Sequence, residues 1–97
     1  MQNFEKNLWW LIAGTRGGEN RLRILRALDE RPMNANKLAE ELELDYKTVE
    51  HHLDTLKEHN IIETMGEGYG KNYLLTEQME ENKGKLDEIQ DEAGVEL

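Results

Sequence analysis

The chain has 97 residues, of which 37% are hydrophobic, and a formal net charge of −9. This length allows one small domain with a modest core, and the absence of cysteine excludes disulfides, thiolate metal sites and cysteine catalysis. No apolar run approaches the about 20 residues of a membrane span, and no clear cleavage site follows the apolar N-terminal run, so we expect a cytoplasmic protein without a signal peptide. Residues 77–97 hold eight acidic and two basic side chains, so a basic face elsewhere is compatible with the total.

Residues 3–13, NFEKNLWWLIA, predict a short amphipathic helix. Its apolar positions fall near i, i+4, i+7 and i+8: Phe4, Leu8, Leu11 and Ile12. Trp9 and Trp10 point about 100° apart on such a helix, so both are buried only if the helix is covered on two sides. One cover would be this domain and the other a partner subunit; alternatively, one tryptophan lies flat on the surface.

Residues 14–18, GTRGG, form a flexible joint. A Gly-rich loop before a helix can bind phosphate, but a nucleotide loop would also need Gly-Lys-Ser/Thr and a βαβ unit, and neither is present. A hinge between two helices is therefore the favoured interpretation. Arg16 is the one side chain of this joint that could bind a phosphate.

Residues 19–31 predict a helix that Pro32 ends. Its buried stripe consists of Leu22, Ile24, Leu25 and Leu28. Arg21, Arg23 and Arg26 are expected around the outside as a mostly solvated face.

Residues 34–60 predict two helices that meet across a tight turn at 43–45. Asn34 and Asp45 are expected to cap them, and Asn60 to end the second. The first helix carries an apolar face of Leu38, Ala39 and Leu42; the second carries Val49, Leu53 and Leu56, with His52 beside them. The opposite face of the second helix carries Tyr46, Lys47, Glu50, His51, Asp54 and Lys57. This arrangement is the helix-turn-helix signature.

Residues 61–76 change to β-type patterning, with one strand that begins at 61–62 and another at 73–75. Three glycines between them permit the turn of a hairpin: Gly66, Gly68 and Gly70. A hairpin after a helix-turn-helix is a wing, and Tyr69 and Lys71 lie at or near its tip. Thr76 is expected to cap a final helix.

Two apolar seams outside these elements are candidate dimer contacts. The N-terminal seam consists of Phe4, Leu8, Trp9, Trp10 and Ile12. The C-terminal seam consists of Met79, Leu86 and Ile89, at coiled-coil spacing weakened by Gly84. We expect that a core this small cannot fully cover either seam.

Three stretches of the chain resemble the ArsR-like winged helix-turn-helix transcriptional regulators, particularly archaeal ones. These stretches are RLRILRALDE, LAEELELDYKTVEHHLDTLKEHNIIE and the Gly-rich hairpin that ends in YLLT. The resemblance covers roughly residues 19–76. It implies a mainly α fold with a small β-hairpin, in which a three-helix core and a wing are flanked by N- and C-terminal helices. The expected division is an N-terminal helix and hinge at 1–18, the winged domain at 19–76, and an acidic C-terminal helix or tail at 77–97.

The resemblance also implies a homodimer that binds double-stranded DNA to regulate transcription, with helix 45–59 in the major groove and the 61–76 hairpin on the flanking backbone. The implied groove-facing residues are Tyr46, Lys47, Thr48, Glu50 and His51. The candidates for contacting the DNA backbone, and so for positioning the protein on the duplex, are Arg16, Asn36, Lys37, Lys47 and Lys71, with Tyr69 near Lys71. By the same match, His52 supports the helix from behind.

Glu50 and His51 depart from the family pattern, since they stand where serine and arginine are frequent. Metal-sensing members use thiolates or His/Asp sets, and neither is apparent here, so we expect no metal and no cofactor. No catalytic constellation is present, so we expect no enzyme. The alternative function is a winged-helix module that binds protein rather than DNA, its acidic surface deterring DNA.

Overall fold

A computed structural model describes residues 3–95. Its elements are α1 (Asn3–Trp9), a π-helical turn (Trp10–Gly14), α2 (Gly18–Glu30), α3 (Ala35–Leu42), α4 (Tyr46–Glu58), β1 (Ile62–Met65), β2 (Asn72–Leu75), α5 (Glu77–Asn82) and α6 (Lys85–Ala93). The two strands pair antiparallel, with Ile62 opposite Leu75 and Met65 opposite Asn72. The chain is thus mainly α-helical with a small β-hairpin, and the predicted winged helix-turn-helix fold is confirmed.

Side-chain caps fix the boundaries of the helix-turn-helix. The Asn34 side chain accepts a hydrogen bond of 2.7 Å from a backbone N–H in the first turn of α3. The Asp45 carboxylate accepts bonds of 3.0 and 3.4 Å from two backbone N–H groups of α4. Glu43 closes α3 in the left-handed conformation, with φ of 54°. Because each cap satisfies groups that the helix itself leaves unpaired, the turn has a fixed geometry, and α4 leaves α3 in a defined direction.

The hairpin is tied to the rest of the domain at both ends. Met33, between α2 and α3, exchanges backbone hydrogen bonds of 3.1 and 2.8 Å with Tyr73 of β2. The Thr76 hydroxyl donates a bond of 2.8 Å to the Asn60 carbonyl, just after α4, and accepts a bond of 3.1 Å from the N–H of Met79, which caps α5 as predicted. The wing is therefore held in a fixed position relative to α3 and α4.

The two apolar seams pack inside this one chain. Leu8, Met79, Leu86 and Ile89 are completely buried, and Phe4 and Ile12 are nearly so. The expectation that a small core cannot fully cover either seam is therefore wrong for the C-terminal seam, whereas the N-terminal seam keeps Trp10 exposed. The α6 helix packs against the π-helical turn, which also contacts α2, so the two terminal segments cover much of one another.

The two adjacent tryptophans differ in their exposure to solvent. Trp9 is partly buried against the core, whereas Trp10 keeps 55% of its surface exposed and lies 6.4 Å from the ring of His59. Of the predicted dimer contacts, Trp10 is therefore the side chain that remains most available to a partner.

The π-helical turn explains a buried arginine that the sequence analysis placed outside. The Leu11 carbonyl, within this turn, accepts hydrogen bonds from Arg21 Nη1 at 2.8 Å and from the Thr15 hydroxyl at 3.3 Å. Arg21 also donates to Thr15 at 2.6 Å and is only 7% exposed. The prediction of an outer position for Arg21 is wrong, because its guanidinium satisfies a buried carbonyl.

Gly18 begins α2 directly against the π-helical turn. A Cβ atom at this position would lie 1.8 Å from the carbonyl oxygen of Ile12. The crossing of the two segments therefore depends on the absence of a side chain at Gly18.

Arg23 and Arg26 also tie helices together. Arg23 donates to the Leu42 carbonyl at 2.7 Å, at the carboxyl end of α3. Arg26 donates to Asp87 at 2.6 Å and to Gln90 at 2.9 Å, both on α6. The arginines of α2 thus serve internal contacts, and the free positive charge of the chain lies elsewhere.

Candidate nucleic-acid interface

The two faces of α4 differ sharply. The inner face consists of Val49, His52, Leu53 and Leu56, all buried. The outer face contains exposed residues at i, i+3, i+4 and i+7, which we call the outer stripe: Lys47, Glu50, His51 and Asp54. Tyr46 is exposed beside the start of the stripe, and Thr48 is half-buried. Because α4 follows the capped turn and has α3 against it, the outer stripe presents four polar side chains on a rigid helix.

Most cations of the described residues are already engaged. Arg21 and Arg23 donate to backbone carbonyls. Ion pairs engage Arg26, Arg31, Lys37, Lys83 and Lys85. The remaining cations, which within residues 3–95 neither form an ion pair nor donate to a carbonyl, are Lys6, Arg16, Lys47, Lys57 and Lys71. Three of these five, Arg16, Lys47 and Lys71, are predicted phosphate-positioning residues, so the uncommitted charge coincides in part with the predicted interface.

The predicted DNA-contacting residues of α3 differ in whether their side chains are already paired. Asn36 is exposed in the first turn of α3, as contact with a DNA backbone would require. Lys37 is exposed too, but its Nζ lies 3.9 Å from Glu40 and 4.0 Å from Glu41. An exposed pair at that distance is weak, and DNA could compete for the lysine. Arg16 is exposed in the connection that leads from the π-helical turn to α2.

Lys71 lies at the end of the wing loop, just before β2. It is half-buried, and its Nζ lies 5.6 Å from the centre of the Tyr73 ring, a cation–π contact that orients the ammonium group. The Tyr69 backbone belongs to the short 3₁₀ turn Gly68–Gly70, while its side chain lies outside what the structure describes. The contact predicted for Tyr69 therefore stays a prediction, as do the DNA contacts of the other residues.

The sequence analysis missed Met65, at the end of β1. Its side chain is 56% exposed on the wing, an unusual place for a large apolar group. Side chains alternate between the two faces of a strand, so a buried Ile62 implies that Glu63 and Met65 point outward. The exposure of Met65 could therefore have been predicted from the sequence. Met65 adds an apolar contact surface to the wing.

His52 supports α4 from within, as predicted. It is 6% exposed, and its Nδ1 has no hydrogen-bond partner within the described residues. A Cβ atom at Gly17, which has φ of 90°, would lie 2.8 Å from His52 Cε1, so the imidazole fills the space beneath this glycine. Burial, followed by the charges of Arg21 and His51, lowers the pKa of His52. The neutral imidazole is therefore the form that fits this site.

We expect His52 to make the fold weaker in acid. An unfolded chain protonates histidine near pH 6.5, whereas the folded protein resists protonation to a lower pH, so stability is complete above about pH 6.5 and declines as pH falls below it. Replacing His52 with Asn should flatten the dependence of the unfolding free energy on pH between 7 and 5, by at most about 1.4 kcal/mol per pH unit. Urea titrations across this range measure the slope, and His59→Asn, which removes a histidine that does not affect the pKa of His52, is the control. Equal slopes for wild type and His52→Asn would contradict the assignment.

Within residues 3–95, no three histidine, aspartate or glutamate side chains are grouped as a metal site requires. A shallow open groove of about 290 Å³ lies between α2 and α3, lined by Arg23, Arg26, Ala27, Glu30, Glu41 and Leu42. Its two arginines are already bonded to Leu42 and to α6, so this groove has no uncommitted charged donor of its own. No helix of the described residues has the length and apolar character to cross a membrane.

Residues 18–64 match the family model of the bacterial regulatory proteins of the arsR family. No curated protein matches the chain.

Several solved structures share the fold. The transcriptional regulator HlyU from Vibrio vulnificus CMCP6 is 27% identical, with a TM-score of 0.67 over 93% of this chain and 90% of that one. The homodimeric winged helix-turn-helix DNA-binding domain of Mb0332 from Mycobacterium bovis is 19% identical, with a TM-score of 0.71 over 91% of this chain and 80% of that one. HlyU from Vibrio cholerae N16961 is 21% identical, with a TM-score of 0.65 over 94% and 96%. The likeness extends over the flanking helices as well as the central helices and hairpin.

Proposed function

We propose that this chain, whose residues 18–64 match the family model of the bacterial regulatory proteins of the arsR family, is a DNA-binding transcriptional regulator of that family. The α4 helix enters the major groove with its outer stripe toward the bases, and the β1–β2 hairpin lies on the flanking backbone. The observation that carries the proposal is the exposed polar stripe on a capped helix, accompanied by cations that no carboxylate of the described residues neutralises.

Arg16, Lys47 and Lys71 are the residues that we assign to the phosphates. Each carries a charge that forms no ion pair within residues 3–95, so binding a phosphate breaks no existing pair. Lys37 is a weaker candidate, since Glu40 and Glu41 compete for it. The side chains assigned to the bases are Tyr46, Thr48, Glu50 and His51, with Asn36 and Tyr69 at the edges of the interface.

We assign the active form as a homodimer, because one recognition helix reads only about half of a site and a two-fold axis places a second helix about 34–36 Å away, in the next groove. The Mb0332 domain, which shares the fold, is homodimeric. In this chain Trp10 is the exposed aromatic of the N-terminal seam, and its burial against a partner would remove a large apolar surface from water.

The proposal involves no catalysis and no cofactor, as befits a family of regulatory proteins. It places the protein in the cytoplasm, where a regulator of this family meets its DNA.

Fluorescence anisotropy on mixed-sequence duplex DNA at several salt concentrations tests the proposal. Three phosphate contacts in each of two protomers give a slope of log K against log salt of about −5, or about a thousandfold weaker binding at 200 than at 50 mM salt. The same titration should saturate at two protomers per duplex. No binding at 50 mM salt would contradict the proposal and favour a protein-binding winged helix instead.

A further inference from the structure

The outer stripe of α4 has an unusual charge for a helix that meets DNA. It contains two carboxylates, Glu50 and Asp54, against one lysine, and it contains no arginine. Lys47 precedes Glu50 by three residues, a spacing that permits an ion pair on a helix surface, yet the two form none. The Glu50 carboxylate is therefore exposed and uncommitted, on the fifth residue of α4, within the amino-terminal half that reaches base edges in helix-turn-helix proteins.

A carboxylate at this position must either repel DNA or accept hydrogen bonds from it. In the major groove the available donors are the exocyclic amino groups, N4 of cytosine and N6 of adenine. Adenine also presents its N7, an acceptor that would face the carboxylate and repel it, whereas cytosine presents its amino group without an acceptor on the same base. The donor pattern that suits Glu50 is thus that of cytosine.

We infer that Glu50 selects a cytosine at one position of each half-site, and that the same carboxylate weakens binding to duplexes that lack it. This inference rests on the proposed function, since it concerns which DNA the outer stripe accepts. The charge of Glu50 would then distinguish duplexes with cytosine at this position from duplexes without it. An unpaired carboxylate near phosphates is unfavourable, and a hydrogen bond from the cytosine amino group compensates for that cost.

Selection of binding sequences from a random duplex library, with the wild-type chain and with Glu50→Gln, tests the inference. Glutamine pairs with N6 and N7 of adenine, so the variant should change the preferred base from cytosine to adenine at one position per half-site and leave the other positions unchanged. Replacing the preferred base should weaken wild-type binding roughly 5- to 100-fold. Glu50→Ala should lose the preference at that position and bind non-specific duplex more tightly than wild type does.

Glu58→Gln is the matched control. Glu58 is exposed at the last residue of α4, so this variant removes the same charge without altering the amino-terminal half of the helix. It should keep the wild-type preference at every position. A Glu50→Gln variant that still selects cytosine would overturn the inference while leaving the proposed function intact, because the wild-type chain would still bind DNA. A wild-type chain that binds no duplex would instead overturn the proposed function.

Discussion

Lys47→Glu should reduce DNA affinity at least about a hundredfold at 0.15 M salt and lower the salt slope by about 2 per dimer. Lys47 is the one cation of the outer stripe, and its charge forms no ion pair within residues 3–95. The change leaves the Asp45 cap intact, since the cap bonds to the backbone N–H of residue 47. A carboxylate in the first turn also interacts favourably with the helix dipole, so the fold should remain as stable as before.

Anisotropy titrations measure the affinity, and circular dichroism with thermal melting measures the fold. Adding Lys71→Glu to Lys47→Glu should abolish binding. Lys6→Glu is the control: Lys6 is exposed on α1 and also lacks an ion pair within the described residues, so the variant has the same net charge as Lys47→Glu. Lys6→Glu should cost much less affinity. Wild-type binding by Lys47→Glu would show that the DNA-binding face lies elsewhere.

Gly18→Ala should destabilise the fold by about 3 kcal/mol or more, a large part of the stability of a domain this small. The added Cβ would lie 1.8 Å from the Ile12 carbonyl oxygen and 2.6 Å from its carbon. Both are backbone atoms, so relief requires that α2 and the π-helical turn separate. The Arg21 bond to the Leu11 carbonyl spans the same crossing and would be strained with it.

Urea unfolding followed by circular dichroism measures this loss, and Gly84→Ala is the matched control. Gly84 has right-handed helical backbone angles, and a Cβ there would meet nothing within 4 Å. Alanine at that position should stabilise the fold by about 0.5–1 kcal/mol, since it restricts the unfolded chain and favours the helix. Equal stability of Gly18→Ala and wild type would mean that the two segments do not cross as closely as described.

Local chemistry explains which parts of the fold were predictable from sequence. Asn34, Asp45 and Thr76 are each followed within three residues by the N–H groups that they cap, so the helix starts could be read from the chain. The outer stripe of α4 follows from the helical period. The pairing of Lys37 with Glu40 and Glu41 could have been foreseen as well, since all three lie at i, i+3 and i+4 on α3.

Features that depend on distant contacts were not predictable. The burial of Arg21 depends on its hydrogen bond to the carbonyl of Leu11, ten residues earlier, in a π-helical turn that leaves no period in the sequence. The seams at the two termini cover one another through packing across the whole chain, which local patterning does not reveal.

The π-helical turn at Trp10–Gly14 also determines how α1 is rotated about its own axis. A π turn holds about one residue more than an α turn, so the same five residues wound as a regular α-helix would rotate everything before them by about 100°. Phe4 and Leu8 would then leave the core and other faces of α1 would enter it. The rotation of the N-terminal helix about its axis, and so the side of α1 that faces a partner, is thus determined outside that helix, in the five-residue segment Trp10–Gly14.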